Sequence, residues 1–272
     1  MKHFYAVFLI GVLAGMFNSC HRDESVSLAV DFSLRDRWVY TFDVDIGGAF
    51  SRKDSLTHMA TTIRSNLVGF SSNKNEYLVV RAENISIASN VLDSAEMNDI
   101  REMVRDAEYT VALKEGFPLS YDSAIVSLAG FGEWDLYRQL LKVLPSLPQK
   151  SVKPGFNWER AWQFPLRTSQ GEASCEVYQS FTFDSLQAAP GKNRHACISW
   201  IFRYAVDPSL FADSSLIEQL PLSGNGKGTA VIDITEKALL KADMSFATPV
   251  CTLADLTVQW EEKASLELAD KE

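Results

Sequence analysis

Trp38, Val39, Tyr40, Thr41, Phe42, Asp43, Val44, Asp45 and Ile46 form a run closed by Gly47 and Gly48. Large apolar side chains fall at every second position, and Thr41, Asp43 and Asp45 stand between them. A strand sends successive side chains to opposite faces, so this period of two predicts a half-buried β-strand with both aspartates on its solvent side. Two further strands are expected over 56–70 and 76–89. Between them Ser71, Ser72, Asn73, Lys74 and Asn75 supply turn residues, so the two pair as a hairpin.

Beyond the hairpin the period changes. Asp93 followed by Glu96 has the spacing of a capping box, and Met97, Ile100, Met103, Val104 and Ala107 then recur at helical intervals. A strand over 109–114 turns at Gly116 and Phe117 into Pro118. A second helix carries Tyr137, Leu140, Leu141 and Leu144 on one face until Pro145 stops it. Residues 146–155, with Pro148 and Pro154, read as a crossover. Six more strands are expected at 161–168, 173–183, 196–206, 228–235, 238–246 and 256–268.

Consecutive strands with short connections pair antiparallel. The predicted fold is therefore mainly β, an antiparallel meander forming a curved sheet or incomplete barrel with two or three capping helices. The domain covers 36–272. Its halves, 36–145 and 156–272, each open on a tryptophan-bearing strand and run through hairpins, which suggests a distant internal duplication.

The 272 residues are 46% hydrophobic and 22% charged, an ordinary globular balance. A net charge of -9 repels phosphate backbones, and no basic stripe offsets it, so no nucleic acid is expected as a partner.

At the N-terminus Lys2 and His3 precede an uncharged apolar run from Phe4 to Phe17, then Asn18, Ser19, Cys20 and the charged His21, Arg22, Asp23 and Glu24. This order is that of a secretory signal, and the run is shorter than the about 20 residues needed to span a bilayer. The stretch Phe17, Asn18, Ser19, Cys20 resembles the lipobox of bacterial lipoproteins, although Phe17 and Asn18 depart from the usual aliphatic and small residues. The resemblance implies a signal peptide over 1–19, lipidation of Cys20, a tether over 20–35 and attachment to the membrane through the lipid. His21 is not the aspartate that retains many enteric lipoproteins in the inner membrane, which favours the outer membrane. Cleavage after Ala14 or Gly15, with Cys20 left as a thiol, is the alternative. The element order is also similar to that of the open β-barrel envelope proteins of the LolA and LolB type. That likeness rests on no motif and transfers no functional residue.

With Cys20 lipidated, Cys175, Cys197 and Cys251 remain, enough for one disulfide. Cys175 and Cys197 lie on consecutive strands, but folding that hairpin near Ala188 sets Cys175 opposite the region of Ile201, out of bonding reach of Cys197.

No constellation of residues points to catalysis, a metal or a cofactor. His58 and His195 lie on separate elements with no serine elbow nearby. Gly224, Gly226, Lys227, Gly228 and Thr229 superficially resemble a phosphate loop, but glycine follows the lysine and a strand follows the segment, so a flexible turn is expected. Asp43, Asp45 and Gly47 lack the third acidic position and closing glutamate of a calcium loop. Asp99, Glu102 and Asp106 form the polar side of the first helix.

Aromatic residues are the remaining signal. Ile198, Trp200, Phe202, Tyr204 and Val206 share one strand face, while Cys197, Ser199, Ile201 and Arg203 share the other. With Trp162, Phe181, Phe183 and Trp260, the residues Trp200 and Phe202 are the candidate lining of an apolar ligand cavity, or else ordinary core. The expected function is that of a non-catalytic envelope lipoprotein binding a hydrophobic ligand or a protein partner. A structural lipoprotein acting through surface contacts is the alternative, favoured by a filled interior around Trp200. A hydrolase would require His58 or His195 to meet a carboxylate and a hydroxyl.

Overall fold

The structure, a computed structural model, describes residues 24–52, 55–72, 77–106, 108–114, 117–121, 140, 142–168, 171–189, 193–206, 223–253 and 256–270. The strands are β1 Trp38–Arg52, β2 Ser55–Ser72, β3 Tyr77–Ser89, β4 Glu108–Lys114, β5 Phe117–Tyr121 and β6 Asn157–Thr168. They continue as β7 Gly171–Ala188, β8 Arg194–Val206, β9 Ser223–Asp233, β10 Ala238–Ala247, β11 Cys251–Leu253 and β12 Leu256–Asp270. All belong to one antiparallel sheet of order β5-β4-β3-β2-β1-β12-β10-β9-β8-β7-β6, with the short β11 paired to β12. The meander is as expected. The first strand pairs with the last, as in an up-and-down barrel, yet among the described residues β5 and β6 remain edges and the sheet does not close.

Among the described residues one complete α-helix is present, α1 Ser94–Asp106, where two or three were expected. Its start is the predicted capping box. Asp93 Oδ1 accepts from the backbone N–H groups of Ala95 at 2.8 Å and Glu96 at 2.9 Å, and Glu96 Oε2 accepts from the Asp93 N–H at 2.9 Å. Ile100 and Val104 are its buried face. Of the expected second helix, Leu140, Lys142 and Val143 form a helical turn before Pro145, and Tyr137 and Leu141 lie outside the described residues.

Strands β5 and β11 were not expected, β6 starts at Asn157 and not 161, β7 runs to Ala188 and not 183, and two further boundaries bear on the site. β1 continues through Gly47 and Gly48 to Arg52 because both β2 and β12 pair with it over that length. β9 starts at Ser223, so the segment from Gly224 to Thr229 is strand and not a turn. The reason is packing. A Cβ at Gly224, Gly226 or Gly228 would sit 2.1 to 2.2 Å from a ring atom of Phe246, Phe202 or Trp200 respectively, so three rings occupy the space where side chains on this face of β9 would stand.

Alternation assigns one face of the sheet to the core. Trp38, Tyr40, Phe42, Val44 and Ile46 of β1 are buried, as are Ile198, Trp200 and Phe202 of β8 and Ala264 and Leu266 of β12. Two segments close over this face. Residues 24–34, expected as part of a polar tether, pack against the sheet. Val26, Leu28, Val30 and Phe32 are buried, Val26 and Val152 exchange backbone hydrogen bonds of 2.8 Å, and Trp38 Nε1 donates to the Phe32 carbonyl at 2.8 Å. Arg194 grips Glu24 in a two-pronged contact of 2.6 Å per arm. The second cover is 140–156, whose Leu140, Val143, Leu144 and Leu147 are buried. Tyr40 reaches along the apolar face to donate its hydroxyl to the Leu239 carbonyl at 3.1 Å. Burial holds that phenol well above its ordinary pKa, so it stays protonated as a donor.

The β7–β8 register places Cys175 against Val206 and Cys197 against Ser185, with Ser180 opposite Ile201. The two cysteines stand far apart along the hairpin, and Cys197 is a free thiol.

Candidate functional site

Phe181, Phe183, Trp200, Phe202 and Trp260 are buried and Trp162 is half-buried. Phe181 pairs with Trp200 across β7 and β8, their rings 5.7 Å apart, and Trp158 stacks on Phe181 at 5.3 Å. Trp162 Nε1 donates to Gln179 Oε1 at 2.9 Å. Trp260 is not part of that group: it lies on β12 and donates to Glu262 Oε1 at 3.0 Å. Where the turn at 140–144 covers β1–β3, β10 and β12, a cavity of about 30 Å³ remains, walled by Trp38, Tyr40, Leu140, Leu144, Leu239 and others. That is room for a water or two, against the several hundred Å³ of an ordinary ligand pocket.

One polar cluster interrupts the apolar face. Lys142 Nζ donates to Glu262 Oε2 at 2.7 Å, with side chains 8% and 1% exposed. The ammonium also lies 5.4 Å from the centre of the Phe246 ring. The pair fastens the 140–144 turn to β12. Trp200 Nε1 and Gln179 Nε2 are buried on the same face without an acceptor.

The opposite face carries an open trough of about 740 Å³ floored by β7, β8, β9, β10, β12 and β1. A second hollow of about 760 Å³ continues it to β6, sharing Ser180 and Ile201. Pairing builds its floor in rows. Ser180 lies opposite Ile201, Ile201 opposite Lys227, Lys227 opposite Ser245, Ser245 opposite Lys263, and Lys263 opposite Asp45. The neighbouring row runs Thr182, Ser199, Thr229, Asp243, Ser265, Asp43. Ile201 is 67% exposed and Tyr178 50%, so two apolar surfaces stand free in this polar setting. The Tyr178 hydroxyl donates to Glu176 Oε2 at 2.7 Å, and that bond with the carboxylate charge raises its pKa. Burial pushes Arg160, at the β6 end, below the usual guanidinium value.

Sequence reasoning placed Asp43 and Asp45 on the solvent side, and both line the trough. It did not identify the trough. The signal available was the second face of β8, with Ser199, Ile201 and Arg203; that this face is hollow depends on how six strands twist together. The phosphate-loop resemblance around Lys227 dissolves into β9, with its glycines under aromatic rings and Lys227 and Thr229 in the trough.

His58 is exposed on β2. His195 Nε2 stands 3.7 Å from Asp233 Oδ2. Asp233 is otherwise engaged, accepting from Asn193 and from the backbone N–H groups of Thr235 and Glu236. Neither histidine lines the trough. Among the described residues no group of three His, Cys, Asp or Glu side chains is placed to hold a metal ion, and no helix is long and apolar enough to cross a membrane. Cys20 lies outside the described residues.

Among the described residues, fold and site thus define a mainly β protein with one apolar face packed against residues 24–34 and 140–156 and one polar face that carries an open trough. No family model and no curated protein matches it. Among solved structures, DynF from the dynemicin biosynthesis pathway of Micromonospora chersina aligns over 90% of this chain and 84% of its own, at 6% identity and a TM-score of 0.20. A LolA superfamily protein from Nitrosomonas europaea aligns over 85% and 87%, at 6% identity and 0.17. A DUF1329 family protein from Desulfovibrio piger aligns over 88% of each chain, at 7% and 0.17. At these TM-scores no residue role and no activity passes from those proteins to this chain.

Proposed function

We propose that this chain is a lipid-anchored binding protein of the cell envelope that works without catalysis and takes its partner in the polar trough. The observation that carries this reading is the division of the two faces. On the apolar face residues 24–34 and 140–156 pack against the sheet and the cavity beneath the 140–144 turn holds about 30 Å³, whereas the polar face carries an open trough of about 740 Å³. Anchoring is supported by the short apolar leader ending at Cys20. Glu24 is held to the sheet by Arg194, so a lipid on Cys20, four residues away, would keep the domain within about 14 Å of its attachment point.

Native mass spectrometry with lipid extraction, on protein purified from its own envelope, tests the choice of face. The mass of the lipidated chain alone is expected. Cys20→Ala is expected to abolish incorporation of labelled palmitate, and unchanged labelling would remove the anchor. A second reading, a carrier of an acyl lipid, is favoured by the unpartnered donors Trp200 Nε1 and Gln179 Nε2. If the cover at 140–156 moved aside, a fatty ester lying on that face would accept from both. A stoichiometric co-purifying lipid would establish this reading in place of the first.

A further inference from the structure

The charges of the trough are unevenly spent. Each of its carboxylates has a neighbour: Asp45 accepts from Thr62 Oγ1 at 2.7 Å, Asp243 lies 3.4 Å from Lys241, and Asp43, whose Oδ1 accepts no hydrogen bond, lies 3.6 Å from Arg64. Its cations differ. Arg203, Lys227 and Lys263 line or border the two hollows, and among the described residues none of the three has a hydrogen bond, an ion pair or a ring contact. Most other described cations, from Arg37 on Glu83 to Arg194 on Glu24, have a partner. Asp45 is the register partner of Lys263 and Tyr178 that of Arg203, yet neither closes an ion pair or hydrogen bond with its cation, so the three charges stay available to a ligand.

Their placement is ordered. Lys227 and Lys263 are both register partners of Ser245, one on each side, so their backbones stand about 10 Å apart, two strand spacings. Arg203 lies diagonally from Lys227, because Ile201 is the direct partner of Lys227; such diagonals measure about 7–8 Å. Around this line Ser180, Thr229, Ser245 and Ser265 offer unengaged hydroxyls, and Ile201 with the ring of Tyr178 offers apolar surface. Glu159 at the β6 rim and Glu261, two residues from Lys263 along β12, flank the line without pairing to it.

Resting on the reading of the trough as the binding face, we infer that its ligand is an anionic oligosaccharide lying across β8, β9, β10 and β12. Acidic groups spaced along a sugar chain meet Arg203, Lys227 and Lys263, sugar hydroxyls meet the serine and threonine rows, and the C–H faces of the rings rest on Ile201 and Tyr178. A fatty chain has no use for such a floor. A duplex nucleic acid would bring far more negative charge than three cations offset.

The test is calorimetric titration of the intact chain at low salt with hexagalacturonate, maltohexaose and hexa-aspartate. Hexagalacturonate is expected to bind at one site, with maltohexaose and hexa-aspartate at least tenfold weaker. Lys227→Gln with Lys263→Gln is expected to weaken hexagalacturonate by about tenfold or more, with an unchanged melting temperature because both side chains are exposed. Equal binding by hexa-aspartate would replace the sugar with an acidic peptide. Binding indifferent to the two substitutions, or no binding of hexagalacturonate to lipid-free protein, would overturn the ligand. A lipid found by native mass spectrometry would overturn the choice of face instead, so the two failures are distinguishable.

Discussion

Lys142 and Glu262 form a buried ion pair on the apolar face. Each oxygen of the Glu262 carboxylate has one donor, Lys142 Nζ and Trp260 Nε1, and no water reaches a side chain that is 1% exposed. Exposed pairs such as Arg105 with Glu102 contribute about 0–1 kcal/mol. Here the balance differs, because losing one partner strands the other charge in an apolar setting. Lys142→Met is expected to destabilise the fold by about 3–5 kcal/mol. Combining it with Glu262→Gln should recover much of the loss. Urea denaturation measures both, and a cost under about 1 kcal/mol for Lys142→Met would mean that the carboxylate finds water when its partner leaves. Nothing in the local sequence marks this pair. Lys142 sits between Leu141 and Val143 as an ordinary polar position of an apolar turn, and its partner is 120 residues away.

At the level of elements, what was legible was what local chemistry decides. The alternation in β1 and β8, and the capping of α1 by Asp93 and Glu96, depend on residues within a turn or a few positions of one another, and they appear as read. β9 was misread at its start for the opposite reason. Its inner face carries no apolar side chain at Gly224, Gly226 and Gly228, because the apolar matter filling that face is supplied by Phe246, Phe202 and Trp200 from β10 and β8. A glycine run therefore signals a strand only once its neighbours are known. Gly226→Ala is expected to cost about 1–3 kcal/mol, since the new methyl would fall 2.2 Å from Phe202 Cζ and 2.7 Å from the Ser245 carbonyl oxygen. Lys227→Ala, one residue on and facing the trough, should lie within about 0.5 kcal/mol of the parent. Equal midpoints for all three proteins in urea would mean that the rings shift freely and that the glycines are incidental. The trough escaped sequence reading for a related reason: polar residues at alternate positions mark every half-solvated strand, whereas a hollow arises only from the combined twist of many.

Over the described residues the molecule is an up-and-down sheet whose β5 and β6 edges stay unpaired, and such a sheet must cover its apolar face by other means. The chain does so from two directions, with 140–156 from the connection between β5 and β6 and 24–34 from the N-terminal side. If 24–34 were a passive tether, its removal would leave stability unchanged. The packing argues otherwise. Val26, Leu28, Val30 and Phe32 are each at most 7% exposed, and full burial of such side chains is worth about 1.5–3 kcal/mol apiece, an upper estimate because the unfolded chain already buries some of that surface. Removing the segment also uncovers Trp38 and withdraws the acceptor of its indole N–H. The summed loss is comparable with the whole stability of a typical domain, about 5–15 kcal/mol. A chain beginning at Arg35 is therefore expected to lose its cooperative melting transition and to bind a dye that reports exposed apolar surface. A chain beginning at Glu24 should melt as the parent does. An unchanged transition in the shorter chain would mean that the sheet holds its core closed without this strap, and that residues 24–34 serve only as a link to whatever precedes them.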